Sequence, residues 1–133
     1  MLAPARPRST ESKYRILYLG SDLKFITAVR KALSEPVYRL VACSDPESAT
    51  LFLRSNIQYD LLLIDLKWQG KEGLKPARVA RSLRHRKRMP IVLLSPAKVD
   101  HQTRTLAQKA GVVECALKTQ DIGEVTRRVI GDE

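Results

Sequence analysis

The segment Leu61-Leu62-Leu63-Ile64-Asp65 places a carboxylate directly after four large aliphatic residues. An apolar run without polar alternation is typical of a central strand in a parallel sheet, because both faces of such a strand are covered. A charge at its end is costly unless it lies at the sheet edge among polar groups. We therefore predict a central strand with Asp65 at the carboxyl edge of the sheet, in a functional pocket. An Asp that only caps the next loop is the alternative, and position alone does not separate the two.

Aliphatic runs of the same kind recur along the chain, and segments with helical periodicity follow each of them. The predicted strands are Arg15 to Leu19, Arg39 to Cys43, Leu61 to Asp65, Ile91 to Ser95 and Val112 to Leu117. This alternation predicts the order (βα)5: an α/β fold with a doubly wound, five-stranded parallel sheet and right-handed crossovers. Asp45 and Asp121 are predicted helix N-caps, and Gly111 is a stop signal between helix and strand.

Composition limits the class of protein. The 133 residues suffice for one domain with a real core, for which we predict residues 14–131, preceded by a flexible, basic, proline-containing leader over residues 1–13. No apolar run is long enough to cross a membrane, and that leader has no apolar core of a secretory signal. Cys43 and Cys115 lack metal-ligand spacing and are predicted core residues in a reducing compartment, which favours the cytoplasm.

Three polar side chains are expected to converge at the carboxyl edge of the predicted sheet. Ligands of such sheets bind beyond the carboxyl ends of the strands, where Asp65, Ser95 and Lys118 end the third, fourth and fifth strands. A carboxylate can attack a phosphoryl group, an ammonium can neutralise its oxygens, and a hydroxyl can bind one of them. The structural alternatives are a salt bridge between Lys118 and Asp65, and a strand-end cap by Ser95.

With these residues in place, the chain resembles the receiver domain of two-component response regulators from Tyr14 to Ile130. The segment 60–73, Asp-Leu-Leu-Leu-Ile-Asp-Leu-Lys-Trp-Gln-Gly-Lys-Glu-Gly, is similar to the phosphoacceptor strand and loop of that family. The resemblance implies a flavodoxin-like receiver architecture with strand order 2-1-3-4-5. It also implies that Asp65 is the phosphoacceptor, Ser95 the hydroxyl residue and Lys118 the lysine of the family's site.

The chain departs from the receiver pattern where the family binds magnesium. Receivers place two acidic residues after the first strand, and the matching positions here are Gly20 and Ser21. Mg²⁺ depends on carboxylates and water, so we expect at most weak binding, through Asp65 and Asp22, where Asp22 reaches the ion only if the alignment shifts by one. Gly20→Asp with Ser21→Asp is expected to restore the site unless Gly20 has a positive φ. Thr119 and Cys115 replace the family's proline and switch aromatic.

Positive charge is concentrated in one part of the sequence. The run Arg84-His85-Arg86-Lys87-Arg88 follows Lys67, Lys71, Lys75, Arg78 and Arg81, and the whole chain has a formal net charge of +10. Because nucleic-acid binding usually adds a groove-reading helix or stacking aromatics, we favour a solvated basic face that meets an acidic protein. A nucleic-acid-binding module stays open as an alternative, and His85 and His101 are predicted surface residues.

These features predict a divergent, pseudo-receiver signalling domain that acts mainly through protein contacts. Its expected partners are a sensor histidine kinase or an acidic signalling protein, and a homodimer is open. An ordinary phosphorylatable response regulator that uses Asp22 for Mg²⁺ is the alternative. No P-loop, G-x-G-x-x-G turn or G-x-S-x-G elbow occurs in the sequence, so we do not expect an independent enzyme.

Overall fold

Five parallel strands form the centre of the molecule. The structure is a computed structural model and describes residues 13–33, 37–65 and 73–131. The strands are β1 (Tyr14–Leu19), β2 (Tyr38–Cys43), β3 (Leu61–Asp65), β4 (Ile91–Ser95) and β5 (Glu114–Leu117). They pair in the order β2-β1-β3-β4-β5, so the predicted fold class and strand order are confirmed.

In the ranges that the structure describes, five α-helices cover the two faces of this sheet. They are α1 (Leu23–Ala32), α2 (Pro46–Arg54), α3 (Lys75–Ser82), α4 (His101–Lys109) and α5 (Ile122–Ile130). Helices α1 and α5 share one core cluster, and α2, α3 and α4 contribute to the other. Every residue of β3 and β4 is buried, as expected of central strands covered on both sides. No helix in the described ranges is both long and apolar enough to cross a membrane.

Alternation along β1 decides which face each side chain joins. Leu17 and Leu19 pack with α2, α3 and α4, whereas Ile16 and Tyr18 pack with α1 and α5. Tyr18 is opposite Leu63 in the β1–β3 register, so Tyr18 lies on the same face as Leu63 and Asp65. This register brings a tyrosine of β1 towards the carboxylate that ends β3.

Helix ends follow the predicted capping chemistry. The side chains of Asp45 and Asp121 accept hydrogen bonds from the backbone N–H groups of Ser48 and Glu124. Gly111 adopts φ 96° directly after α4, a left-handed conformation that glycine adopts at little cost. Its role as a stop signal is therefore confirmed.

Strands β1 and β2 each begin one residue earlier than predicted, and two predictions were wrong by more. Strand β5 begins at Glu114 instead of Val112, because the Val112 N–H still bonds the Ala107 carbonyl at the end of α4. The helical spacing of Ala49, Phe52, Leu53 and Ile57 predicts one helix face, but Ile57 lies beyond the end of α2 and is 41% exposed. Backbone hydrogen bonds at helix ends decide both cases, and apolar spacing does not report them.

Both cysteines are free thiols. Cys43 is buried at the end of β2 and Cys115 is half-buried in β5. Burial, reinforced by the Asp45 carboxylate, raises the pKa of the Cys43 thiol to about 12. The thiolate is the reactive form, so burial disfavours reaction at Cys43, whose side chain packs in the core.

Candidate functional site

Asp65 lies at the carboxyl end of β3 and is 1% exposed. Its Oδ2 accepts hydrogen bonds from the Tyr18 hydroxyl and from Lys118 Nζ, each at 2.8 Å. A buried carboxylate needs such donors, because an unpaired charge away from water is expensive. The sequence expectation that Asp65 lies at the sheet edge among polar groups is met.

Lys118 follows β5 and joins two carboxylates. Its Nζ lies 2.6 Å from Asp22 Oδ2 and 2.8 Å from Asp65 Oδ2, and 4.8 Å from the centre of the Phe25 ring. Burial lowers the pKa of Lys118, but the hydrogen bonds to Asp22 and Asp65 outweigh burial, so the pKa is raised overall. The two carboxylates therefore favour the ammonium form, and the salt bridge considered for Lys118 is present.

Asp22 has two functions in the structure. Its Oδ1 accepts a hydrogen bond from the Phe25 N–H at 3.1 Å and so caps α1, while its Oδ2 bonds Lys118. A carboxylate at a helix N-terminus also interacts favourably with the helix dipole. The structure thus brings Asp22, Asp65 and Lys118 together, with Lys118 between the two acids.

Tyr18 is a member of this cluster that we did not predict. The side chain is fully buried, and its ring lies 5.8 Å from that of Phe25. Burial, and then the hydrogen bond to the Asp65 carboxylate, raises the pKa of the phenol far above its usual value. A tyrosine in a buried strand needs a partner for its hydroxyl, which was the available signal, but the choice of Asp65 depends on strand register.

The Tyr18 side chain also occupies the space beside Gly20. A Cβ built on Gly20 would lie 2.4 Å from Tyr18 Oη, 2.6 Å from Tyr18 Cζ and 2.8 Å from Asp65 Cβ. Gly20 does not have a positive φ, unlike Gly111 and Gly131. The obstacle to a side chain at position 20 is thus steric rather than conformational. Our expectation for Gly20→Asp with Ser21→Asp must therefore include the displacement of Tyr18.

Ser95 ends β4 at the same edge, opposite Leu117 in the register. Its hydroxyl donates to the Ala97 carbonyl and accepts a hydrogen bond from the Ala97 N–H at 3.2 Å. These bonds close the turn after β4, which corresponds to the strand-end cap considered above. Ser95 is 4% exposed and would have to turn away from Ala97 to meet a ligand.

The basic run is not the uniformly solvated face that we expected. Arg86 is 2% exposed, and its guanidinium donates to the carbonyls of Leu53, Ser55 and Ile57. Arg81 donates to the carbonyls of Lys87, Met89 and Gly111. Both arginines are structural because they satisfy carbonyls that would otherwise lack a donor. Lys67 and Lys71 lie outside the described residues, whereas His85 and His101 are exposed, as predicted.

Metal-ligating side chains are sparse in the part of the chain that the structure describes. There, no group of three or more His, Cys, Asp or Glu residues could hold a metal ion. Gly20 and Ser21 follow β1 without supplying a carboxylate. Asp22 and Asp65 are the two carboxylates that the described residues bring to Lys118, and both already bond it.

Comparisons in sequence find no relative: no family model matches the chain, and no curated protein matches it. Solved structures are similar in fold. Chemotaxis protein CheY4 from Vibrio cholerae superposes with a TM-score of 0.76 at 15% identity, over 89% of this chain and 99% of its own. A response regulator from Thermotoga maritima gives 0.75 at 24% identity, over 90% and 98%.

A third similar structure is the receiver domain of sensor histidine kinase PA1611 from Pseudomonas aeruginosa, with a magnesium ion coordinated in its active-site cleft. It gives a TM-score of 0.74 at 21% identity, over 90% of this chain and 99% of its own. The similarity therefore extends over nearly the whole length of each protein. Together with the strand order and the helices on both faces, it establishes that this chain has the CheY-like fold of response regulator receiver domains.

Proposed function

We propose that this chain is a receiver-like signal-transduction domain that works mainly through protein–protein contacts. Asp65 occupies the phosphoacceptor position, and the acidic pair that would hold magnesium is lost at Gly20 and Ser21. Receiver domains are generally signal transducers without enzymatic activity of their own, and they interact with histidine kinases and other signalling proteins. The proposed partner is therefore a sensor histidine kinase or an acidic signalling protein.

One observation carries the proposal: the Tyr18 hydroxyl bonds Asp65 and fills the space next to Gly20. A carboxylate at position 20 is incompatible with this arrangement. The Tyr18 ring thus fills the space that an acidic side chain at position 20 would occupy, and only glycine at that position leaves room for the ring. The absence of an acid at position 20 is then a consequence of how side chains pack at the carboxyl edge of the sheet. Asp65 is held there by hydrogen bonds from Tyr18 and Lys118.

The residues at this edge do not fit magnesium. Mg²⁺ demands near-octahedral oxygen ligands and gives up its water reluctantly. Here Lys118 already neutralises Asp22 and Asp65 at hydrogen-bond distance, and an incoming dication would have to displace that ammonium. The Tyr18 hydroxyl donates a hydrogen bond to Asp65 Oδ2, and Lys118 donates another, so this oxygen already accepts two hydrogen bonds before any ion arrives.

The same residues give the edge a fixed geometry without a phosphoryl group. Lys118 ties the end of β5 to the start of α1 through Asp22 and to the end of β3 through Asp65. Its cation also lies on the Phe25 ring of α1. Three elements are thereby held in one arrangement, which suits a domain whose surface is recognised as it stands.

The second candidate function is an ordinary phosphorylatable response regulator, and the position of Asp22 is the observation that favours it. Asp22 shares Lys118 with Asp65, so both carboxylates lie at one site. If Lys118 moved away, these two acids would be the groups available to a metal ion. This candidate requires fast acceptance of a phosphoryl group at Asp65.

Intact-mass spectrometry after incubation with acetyl phosphate and Mg²⁺ tests the proposal. We expect wild type to gain a phosphoryl group slowly and incompletely, because the cation site is poor and Asp65 is held by Tyr18 and Lys118. Asp65→Asn should gain none, and Asp60→Asn, which changes an acid at the opposite end of β3, should match wild type. Rapid, stoichiometric and Asp65-dependent modification would reject the proposal in favour of the second candidate.

A further inference from the structure

A basic groove runs along the amino edge of the sheet, opposite the Asp65 cluster. It has a volume of about 840 Å³. The residues that line it precede β3, β4 and β5, start β1 and end α5, and they include Arg84, His85, Lys87, Arg88 and Val113. The groove places exposed positive charge beside one exposed apolar side chain, Val113.

The positive charge of the groove is available to a ligand. The side chains of Arg84, Lys87 and Arg88 are exposed, and within residues 13–33, 37–65 and 73–131 they form no hydrogen bond or ion pair. The acid among the lining residues is Asp60, and its Oδ2 already accepts a hydrogen bond from the Arg15 N–H at 2.9 Å. The groove therefore has a net positive charge that attracts anions.

Two buried or half-buried arginines hold this charged turn in place. Arg86 anchors the middle of the turn to the end of α2 through backbone carbonyls, and its guanidinium lies 5.1 Å from the centre of the Tyr59 ring. Arg81 bonds the Lys87 and Met89 carbonyls. Because these bonds exist before any ligand binds, little ordering is needed to present the three exposed cations.

The walls and floor favour a peptide over a nucleic acid. Val113 is 58% exposed and Val129 and Ile130 are partly buried, so apolar ligand groups would find apolar contacts. Proteins that bind single-stranded nucleic acids usually combine positive charge with exposed aromatic faces on which bases stack. Tyr59 is 4% exposed, and Tyr14 stacks on Tyr38 at 5.4 Å, so both rings are already engaged.

We infer that this amino-edge groove is a docking site for an acidic segment of a partner protein that also carries apolar side chains. The inference rests on the proposed function in that it assumes a protein partner, and it assigns that partner to the edge opposite Asp65. Charge complementarity would guide the segment to Arg84, Lys87 and Arg88. Burial of its apolar side chains against Val113 would then retain it.

Fluorescence anisotropy with a labelled peptide of repeated Glu-Glu-Leu units tests the inference. Wild type should bind this peptide at low salt, and binding should weaken as salt screens the charges. Peptides of repeated Gln-Gln-Leu and Glu-Glu-Ser, which lack the charge or the apolar group, should bind less tightly. A single-stranded oligonucleotide of similar charge should also bind less tightly than the Glu-Glu-Leu peptide.

Two triple variants with the same net charge separate the groove from the bulk charge. Arg84→Glu with Lys87→Glu and Arg88→Glu should weaken binding about tenfold or more. Lys31→Glu with Lys98→Glu and Lys109→Glu, all exposed outside the groove, should change it by less than about twofold. Val113→Ser should weaken binding of Glu-Glu-Leu without altering the fold, since this side chain is exposed, and circular dichroism should confirm that every variant is folded.

Three results would overturn the inference: no binding by folded wild type, equal losses in the two triple variants, or tighter binding of the oligonucleotide. The peptide assay reports on the amino edge of the sheet, whereas phosphorylation reports on Asp65 at the carboxyl edge. Rapid phosphorylation of Asp65 would therefore reject the proposed function without touching this assay. A failed peptide assay would reject the groove and leave the phosphorylation result unaffected.

Discussion

Tyr18 and Asp65 depend on each other inside the protein. The phenol needs an acceptor because it is buried, and the carboxylate needs donors for the same reason. Gly20 completes the arrangement, since any side chain there would meet the Tyr18 ring. A single aromatic side chain thus supplies a hydrogen bond to Asp65 and fills the space that a side chain at position 20 would need.

Tyr18→Phe removes the hydroxyl and keeps the ring. At neutral pH we expect a loss of about 2 kcal/mol in the free energy of unfolding, which is typical of a hydrogen bond to a charged group. Tyr59→Phe is the matched control, because Tyr59 is also buried but its ring contacts Arg86 through its face. Urea unfolding of both variants measures the difference. Equal losses in stability would mean that the hydrogen bond between Tyr18 and Asp65 contributes nothing to the free energy of unfolding.

The difference in the free energy of unfolding between wild type and Tyr18→Phe should depend on pH. The folded pKa of Tyr18 is raised by burial and by the Asp65 carboxylate, so the folded protein keeps a proton that the unfolded chain releases above about pH 10. The stability from Tyr18 is complete below that pH and falls by about 1.4 kcal/mol per pH unit above it. The gap between wild type and Tyr18→Phe should therefore narrow in base, and a constant gap would contradict the assignment.

Among the helices, α1 is the one whose cap also reaches the candidate site. Asp22 caps α1 and bonds Lys118, whereas Asp121 caps α5 through the Glu124 N–H. Asparagine caps helices about as well as aspartate, while alanine does not cap. Replacing Asp by Asn therefore removes charge and retains the cap.

Four variants separate the cap of α1 from its ion pair. Asp121→Ala should cost about 1 kcal/mol of stability and Asp121→Asn close to nothing. Asp22→Ala should cost more than Asp121→Ala, and Asp22→Asn should retain a loss of about 1 kcal/mol from the weakened contact with the partly buried Lys118. Thermal unfolding measures all four, and an Asp22→Asn protein as stable as wild type would show that the ion pair contributes nothing.

The end of α2 depends on Arg86 in a comparable way. Its guanidinium supplies donors to several carbonyls at once, which neither an apolar side chain nor a lysine can reproduce. Arg86→Met should therefore lower the free energy of unfolding by about 3 kcal/mol or more, because those buried acceptors lose their partners. Arg84→Ala, two residues earlier and exposed, should stay within about 0.5 kcal/mol of wild type; similar losses in both would refute this role.

For the molecule as a whole, the sheet was predictable because its strands have a distinctive sequence pattern. Leu61 to Ile64 and Ile91 to Leu94 are unbroken apolar runs, and the segments between strands repeat with the helical period. The convergence of Asp65 and Lys118 followed from the rule that carboxyl ends meet at one edge. Topology alone was sufficient for that much of the site.

The rest of the site depends on distances that spacing does not encode. Strand register places Tyr18 near Asp65, and the length of the ring carries its hydroxyl to the carboxylate. The inward turn of Arg86 in a run of five basic residues likewise depends on unpaired carbonyls at the end of α2. Contacts between elements distant in sequence decide these positions, so neither local pattern nor charge count could predict them.

Magnesium binding, followed by the fluorescence of Trp68, tests the central claim that Tyr18 takes the place of the metal-binding acid. Trp68 is the single tryptophan and lies three residues after Asp65 in the sequence. Wild type should show no saturable response in the millimolar range, and Gly20→Asp with Ser21→Asp should show little response, because Tyr18 obstructs position 20. Adding Tyr18→Val to that pair removes the two shortest contacts and leaves the one with Asp65 Cβ at 2.8 Å, which a small shift of Asp65 relieves. The triple variant should therefore show saturable binding in protein shown by circular dichroism to be folded. If wild type bound Mg²⁺ as tightly as the triple variant, the account would be contradicted. Saturable Mg²⁺ binding by the double variant, which retains Tyr18, would also contradict it.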